Sequence, residues 1–387
     1  MRILYSAIDQ RVPSYDGGSV HVMSVAEGLA RLGNNVHVLA SRGNGAPPAD
    51  DVTWSAIAPP FGSRRLRLLR AGAVLAAARA FRPDVIMERY YNFGGEGVLA
   101  ARRLNATAVL EINAPVSDYP GSPKRILDKC LVIEPMRRWR EWQCLSSDLI
   151  VTPSARIIPA QVPRARIFTT EWGADTVRFR PDASGDVPFQ RNPGDTIVVF
   201  AGAFRAWQGA VPLGHAIRRL HARGRSTFKA VLVGDGPELP RVRRAAEGID
   251  GIVVLGAVPH SEVPAILAAA DIGAAPFDVQ AHPSLAHEFH WSPLKIFEYM
   301  SSGLPVVAPR IERIAKLVCD GTDGILYDGA DPDGLADALE RLADPTLRRR
   351  LGTSARAHAV REFSWEAHCR GLQDAIQAAR DRMTCAS

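Results

Sequence analysis

The chain has no apolar run long enough to span a bilayer, which takes about 20 residues, so no transmembrane helix is expected. Its opening, "MRILYSAI", lacks the basic start and long apolar centre of a signal peptide and reads as a buried strand. Cysteine is scarce. Cys130, Cys144, Cys319, Cys369 and Cys385 are scattered, odd in number and without zinc-ligand spacing. That argues against a disulfide scaffold, predicts free thiols in a reducing compartment and gives no expectation of a structural metal. Nucleic-acid signatures are missing too: there is no helix-turn-helix, zinc-finger or RNA-binding pattern. The net charge of +6, from 47 Lys+Arg against 41 Asp+Glu, is small and dispersed. No G-x-G-x-x-G dinucleotide fingerprint occurs. A cytoplasmic protein is expected. Its modest basic surplus suits phosphate-bearing ligands or an anionic membrane surface.

What is present is a long alternation. The 387 residues suffice for two or three domains. "RILYSAI", "NVHVLAS", "DVIMERY" and "ATAVLEIN" read as strands. Between them "SVHVMSVAEGLARLG", "AGAVLAAARAFRP" and "GEGVLAARRLN" have helical spacing. "RFRPDASGDVPFQRNPGDT" then breaks the pattern with proline, glycine and polar residues, as a linker does. After it the alternation restarts at "TIVVFAGAF" and ends in one amphipathic helix, "SWEAHCRGLQDAIQAARDRM". The expected fold class is α/β: two Rossmann-like, doubly wound parallel sheets flanking a linker. The expected division is 1–180, a linker at 181–195, a second domain at 196–362 and a terminal helix at 363–387. In such sheets ligands bind beyond the carboxyl ends of the strands. Two such domains facing each other across a cleft suit a two-substrate enzyme or a clamshell binding protein.

Four stretches could carry chemistry. Gly17 and Gly18 fall between the first strand and its helix, where glycines admit an anion to a helix start; a plain turn is the alternative. Gly202 ends the first strand of the second half, and Arg205 follows in the loop "FAGAFRAWQG". Arginine beside freed backbone N–H groups makes a phosphate site; a surface arginine is the alternative. "LVGDGPE" and "LGAVPHSEVP" are weak alone. The fourth stretch is "HWSPLKIFEYMSSGLPVVAPR", residues 290–310. Pro293 fits a first helical turn, and the free N–H groups of Leu294 and Lys295 face any anion at that helix start. Lys295 adds positive charge. Glu298, one turn on, can accept hydrogen bonds from ligand hydroxyls. Ammonium for phosphate and carboxylate for sugar hydroxyls describe a nucleotide sugar better than a bare nucleotide; a Lys–Glu pair on a solvated helix is the alternative.

"SPLKIFEYMSSGLPVVA" closely resembles the donor-site motif of retaining GT-B glycosyltransferases, family 4 in particular. "FAGAFRAWQG", "VLVGDGPE", "LGAVPHSEVPAILAAADIGAAPF" and "DGILYDGADPDGLADAL" match that family in the same order, as does "EWGADTVRFRP" before the linker. The resemblance spans essentially the whole chain. It implies a GT-B fold whose terminal helix crosses back to the N-terminal domain. The C-terminal domain would hold a nucleoside-diphosphate sugar, UDP- or GDP-linked. Glu298 would bind ribose, Lys295 and Arg205 would neutralise the diphosphate, and backbone near Pro293, Leu294 and Ser292 would assist. Gly202 would permit close approach, Val258 would pair with the base, and Gly17 and Gly18 would face the leaving phosphate or the sugar. It also implies retention of anomeric configuration and no metal in the reaction. The sugar nucleotide is then a co-substrate, and no cofactor is implied.

The sequence departs from the family in three places. His290 stands where the earlier of two glutamates is frequent, with Glu288 two residues before it. Ala203 and Gln208 replace basic residues of the first loop. Glu111 and Asn113 occupy a strand end where a histidine is common. Together with His21, these two are candidate sugar or acceptor contacts; buried structural partners are the alternative. The acceptor class stays open among glycans, lipid-linked sugars and small molecules, with no nucleic acid. Residues 63–82 and 136–144 are basic and partly amphipathic, so they would either rest on an anionic membrane or form a solvated arginine-rich surface. A nucleotide-sugar epimerase or hydrolase and a non-catalytic binding protein are the competing functions.

Overall fold

A computed structural model describes the chain except for residues 15–16, 45–49, 119–121, 131–132, 283–284, 286–288, 330–331 and 387. It divides into two compact units. The first holds Met1–Trp172, His290–Ser292 and Trp365–Ser387; the second holds Gly173–Phe289 and Pro293–Ser364.

The first unit contains β1 (Arg2–Val12), β2 (Asn35–Arg42), β3 (Val52–Ala56), β4 (Val85–Arg89), β5 (Thr107–Glu111), β6 (Leu149–Thr152) and β7 (Ile167–Thr169). They form one sheet in the order β3-β2-β1-β4-β5-β6-β7, and every pairing is parallel. "TAVLE" of β5 is buried at all positions, as a strand covered on both faces must be. Strand order reverses between β1 and β4, the place where doubly wound sheets take ligands. The helix Trp365–Ala386 packs on this unit. Its Cys369 lies so close to Gly28 that a side chain there would collide with the sulfur, and Asn34 Nδ2 donates to Gln373 Oε1 (2.6 Å).

The second unit contains β8 (Thr196–Ala201), β9 (Phe228–Val233), β10 (Ile252–Gly256), β11 (Ile272–Ala274), β12 (Val306–Pro309) and β13 (Gly324–Tyr327). Their order is β10-β9-β8-β11-β12-β13, again parallel throughout. Val198, Phe200, Leu213, Ile217, Leu232 and Leu339 belong to its core. The order reverses between β8 and β11, so the loop after β8 and the helix Leu294–Ser301, which precedes β12, lie at elements flanking the switch point.

Local expectations change in several places. Gly17 and Gly18 are the first residues of the helix Gly17–Arg31, not a loop before it. Pro293 is the residue before its helix rather than part of the first turn. The edge strand β3 and the helix Pro345–Glu362 went unread: one is short, the other has only a thin apolar stripe. The basic stretches are also less superficial than either sequence reading held. Arg67 is wholly buried, and Arg140 is buried and paired with Asp118 (2.7 Å). Cys130, Cys144, Cys319 and Cys369 are free thiols. Among the described residues no helix is long and apolar enough to cross a membrane.

Candidate active site

The second unit brings Gly202 and Lys295 against each other. The helix Leu294–Ser301 begins without a side-chain cap, and the Pro293 carbonyl accepts from Ile296 N (2.8 Å) at its start. Tyr299, buried on the same helix, accepts a hydrogen bond from Ala201 N (2.7 Å) and so fixes the helix to the end of β8. Gly273 of β11 makes room for it: a Cβ there would lie 2.5 Å from the tyrosine ring.

Lys295 is thereby carried inward. Its side-chain nitrogen is buried with no hydrogen-bond partner among the described residues and sits 3.7 Å from the Phe200 ring centroid. The Phe277 centroid is 5.5 Å away. Ring faces attract the charge but replace little of its lost hydration. Burial accordingly pushes the Lys295 pKa down from 10.5 to about 7, with Glu298 opposing. Gly202 shares this place. It has φ +146, and a Cβ on it would stand 2.9 Å from Lys295 Nζ. Only glycine offers that backbone and that space together. Gln208 Oε1 is also buried without a partner among the described residues.

Glu298 is largely covered, and its carboxylate lies 3.8 Å from His260 Nε2. His260 packs edge-on to Phe179 (5.8 Å) and follows Val258 by two residues in the loop after β10. The spacing of Glu298 and Lys295 was legible, but His260 was not, because its link to Glu298 is made only by the fold. Arg205 is exposed at the start of the one-turn segment Ala206–Gln208, and among the described residues its guanidinium makes no ion pair.

The first unit holds a separate buried network. Glu111, at the end of β5, accepts from Tyr5 Oη (2.5 Å), from Arg89 (3.1 Å) and from Asn113 Nδ2, and it contacts His21 Nε2 at 2.7 Å. Asn113 Oδ1 in turn accepts from Trp172 Nε1 (2.9 Å). Burial pushes Glu111 up, but His21, Arg89 and these hydrogen bonds outweigh it and hold it well below the usual carboxylate range. Burial pushes His21 down against Glu111. Glu111 and Asn113 thus have partners within the unit. Neither Arg89 nor Trp172 was singled out by sequence; no local pattern links them to Glu111.

His290, Trp291 and Ser292 group with this first unit, although Pro293 and the helix after it belong to the second. His290 is buried. Ser292 Oγ donates to Glu171 Oε2 (2.6 Å) and accepts from Trp172 N (3.1 Å). Glu288 lies outside the described residues.

Comparison with known proteins adds to this geometry. The family described as "Glycosyl transferases group 1" matches residues 195–344, and "Glycosyltransferase Family 4" matches residues 15–162. The D-inositol 3-phosphate glycosyltransferase of Acidothermus cellulolyticus is 27% identical over 417 residues, covering 96% of this chain and 88% of that one. The GDP-mannose-dependent alpha-(1-6)-phosphatidylinositol monomannoside mannosyltransferase of Mycolicibacterium smegmatis is 27% identical over 234 residues, 59% of this chain and 60% of that one. Among solved structures, Anabaena Alr3699/HepE in complex with UDP superposes with a TM-score of 0.70 at 17% identity. That match covers 98% of this chain and 100% of the other.

Proposed function

Because the chain belongs to the group 1 and family 4 glycosyltransferases and has the GT-B fold, we propose a retaining, metal-independent enzyme that uses a UDP- or GDP-linked sugar. The acceptor is a hydroxyl of a glycan, a lipid-linked sugar or a small molecule. The observation that carries this reading is Lys295, an ammonium buried against Gly202 at a helix start with no hydrogen-bond partner among the described residues and only Glu298, one turn on, opposing the cost of its burial. A diphosphate supplies an anion there. Glu298, one turn further along, takes the ribose hydroxyls.

In the reaction the sugar–phosphate bond breaks, negative charge grows on the diphosphate and the sugar gains oxocarbenium character. Lys295, Arg205 and the helix N–H groups stabilise the growing charge, which is where fixed electrostatics contribute most. The acceptor then attacks on the face the diphosphate leaves, and a phosphate oxygen takes its proton. Gly17, Gly18, His290 and Ser292 remain donor-binding candidates, and Val258 the partner of the base. The relatives name both GDP-mannose and UDP, so the base is left to experiment.

A thermal-shift panel of UDP-, GDP-, ADP- and TDP-sugars should single out one donor, because a ligand that binds the folded state raises the melting temperature. Glu298→Ala should cut the affinity for that donor by about tenfold to a hundredfold, the loss of one or two hydrogen bonds to a charged group. Undiminished binding by the variant would remove Glu298 from the site. Proton NMR of the newly formed product should show the donor's anomeric configuration. Inversion would reject the retaining reading. Turnover without any acceptor would favour an epimerase or hydrolase, and binding without turnover a binding protein.

Peripheral membrane contact is the second reading, supported by the segment around Arg64–Arg70. Phe61 is 98% exposed and Leu69 70%, beside exposed Arg64, Arg65 and Arg70. Vesicles containing anionic lipid should therefore sediment the protein at low salt, and Phe61→Ser with Leu69→Ser should reduce the bound fraction severalfold. Equal binding to neutral vesicles would remove the role of anionic lipid, and binding to neither argues for a soluble acceptor.

A further inference from the structure

Cys319, Asp323 and His358, in the second unit, offer a sulfur, an oxygen and a nitrogen that all lie within 4.8 Å of one another. The sequence spacing gave no hint of this, since the third residue comes from a distant helix. Cys319 and Asp323 are brought to one side by a tight turn. The Cys319 carbonyl accepts from Thr322 N (3.0 Å) and Asp323 N (2.9 Å), while Cys319 N donates to Asp323 Oδ2 (3.1 Å). His358, on the helix Pro345–Glu362, places Nδ1 2.8 Å from the same Asp323 oxygen.

A second observation separates this cluster from an ordinary ion pair. The outer oxygen of Asp323 accepts from Ser354 Oγ (3.1 Å), and the outer nitrogen of His358 lies 3.3 Å from Glu362 Oε2. Arg361 pairs with Glu362 in turn (3.0 Å), and Phe363 packs on the imidazole (4.9 Å). Metal-bound imidazole and carboxylate ligands are normally oriented by such outer partners, typically a carboxylate behind the histidine. Here both are in place. Cys319 is exposed, so the cluster can be reached from solvent.

We propose that Cys319, Asp323 and His358 form a binding site for a thiophilic divalent cation, zinc above all, with the fourth tetrahedral position open. The ligand set of one thiolate, one imidazole and one carboxylate suits zinc. Ligands on one zinc stand about 3.5 Å apart at bond lengths of about 2.0–2.3 Å, so His358 and Asp323 separate slightly from their 2.8 Å contact while rotation of the exposed cysteine brings its sulfur in. Without metal, the proton between Nδ1 and Asp323 takes the ion's place: the Asp323 hydrogen bond raises His358. Binding replaces the Nδ1–Asp323 hydrogen bond and displaces the thiol proton. A filled site would pin the turn before β13 to the helix Pro345–Glu362.

The test uses the whole chain, stripped of metal by a chelator and titrated with Co2+. One equivalent should bind with a thiolate-to-cobalt charge-transfer absorption that added Zn2+ abolishes. Cys319→Ser should remove the band, and Cys130→Ser, which alters another exposed thiol, should leave it intact. Glu362→Gln keeps all three ligands and should weaken Co2+ binding about tenfold through the outer partner alone. The proposal is overturned if no saturable one-equivalent band forms, if the band persists in Cys319→Ser, or if Glu362→Gln binds as tightly as the parent chain.

Discussion

Lys295→Met should make the protein more stable and nearly inactive. The ammonium is buried between Phe200 and Phe277 with no hydrogen-bond partner among the described residues, so its desolvation is poorly compensated. Its pKa falls from 10.5 in water to about 7 in the fold. Below pH 7 the group is charged in both folded and unfolded chains, and the folded state carries the full penalty. Between about 7 and 10.5 the unfolded chain binds more protons than the folded one, so stability climbs with pH and the penalty fades. A methionine of similar length should therefore stabilise by about 2–4 kcal/mol at pH 6, and the gain should shrink toward zero by pH 10. Urea melts of both proteins at several pH values measure this. A variant less stable than the parent at pH 6 would mean that the ammonium is better satisfied than its surroundings indicate.

The same substitution should lower kcat/KM on the order of a thousandfold, the usual consequence of removing a fixed charge from a developing anion. Donor binding has its own pH signature. On the proposed reading, Lys295 must hold a proton to receive the diphosphate, so the dissociation constant for the nucleoside diphosphate should rise about tenfold per pH unit above 7. Lys295→Met should flatten that dependence. A stabilised, inactive variant is the expected outcome where a residue is retained for chemistry at a cost to the fold.

Arg67→Met should have the largest effect on folding. Arg67 is wholly buried and pairs with Asp9 (2.7 Å), with Glu96 and, at 3.4 Å, with Glu88. Glu88 also accepts N–H bonds from Gly95 (2.6 Å), Gly97 (2.8 Å) and Val98 (3.0 Å) at the start of the helix Glu96–Leu104. Losing the arginine leaves three acidic groups around an apolar methionine. Breaking a buried pair costs about 3–5 kcal/mol, a large share of an ordinary domain's stability. The loss should deepen as pH rises. Burial and Glu96 already push Glu88 up to about 8, so the folded state prefers it protonated while the unfolded chain ionises it near 4.5. Stability contributed by that group falls with pH between those values, and removing Arg67 removes a charge that opposes the shift. Denaturant melts at pH 5.5 and pH 8 should show the greater deficit at pH 8. A uniform deficit would place the damage in packing rather than charge.

Much of the architecture is written along the chain. Alternating strands and helices, broken once by a proline- and glycine-rich stretch, required two parallel sheets, because each apolar strand needs cover on both faces. The ordered glycine loops and the Lys295–Glu298 spacing fixed the family and the residues to suspect. Gly202 was legible for the same reason: at a strand end only glycine has both the backbone freedom and the missing side chain. Tertiary structure decided the rest, because burial and pairing are properties of places that distant segments share. Arg67 sits in a stretch that reads as surface, yet three carboxylates from elsewhere in the chain draw it inside. Glu111 acquires Arg89 and Tyr5 from neighbouring parallel strands and His21 from the helix Gly17–Arg31 only when these elements come together. Cys319 meets His358 only because a helix 39 positions away in the numbering returns over the turn before β13. Sequence named the ammonium at position 295; only the fold, by taking its water away, turned it into a group poised near neutral pH.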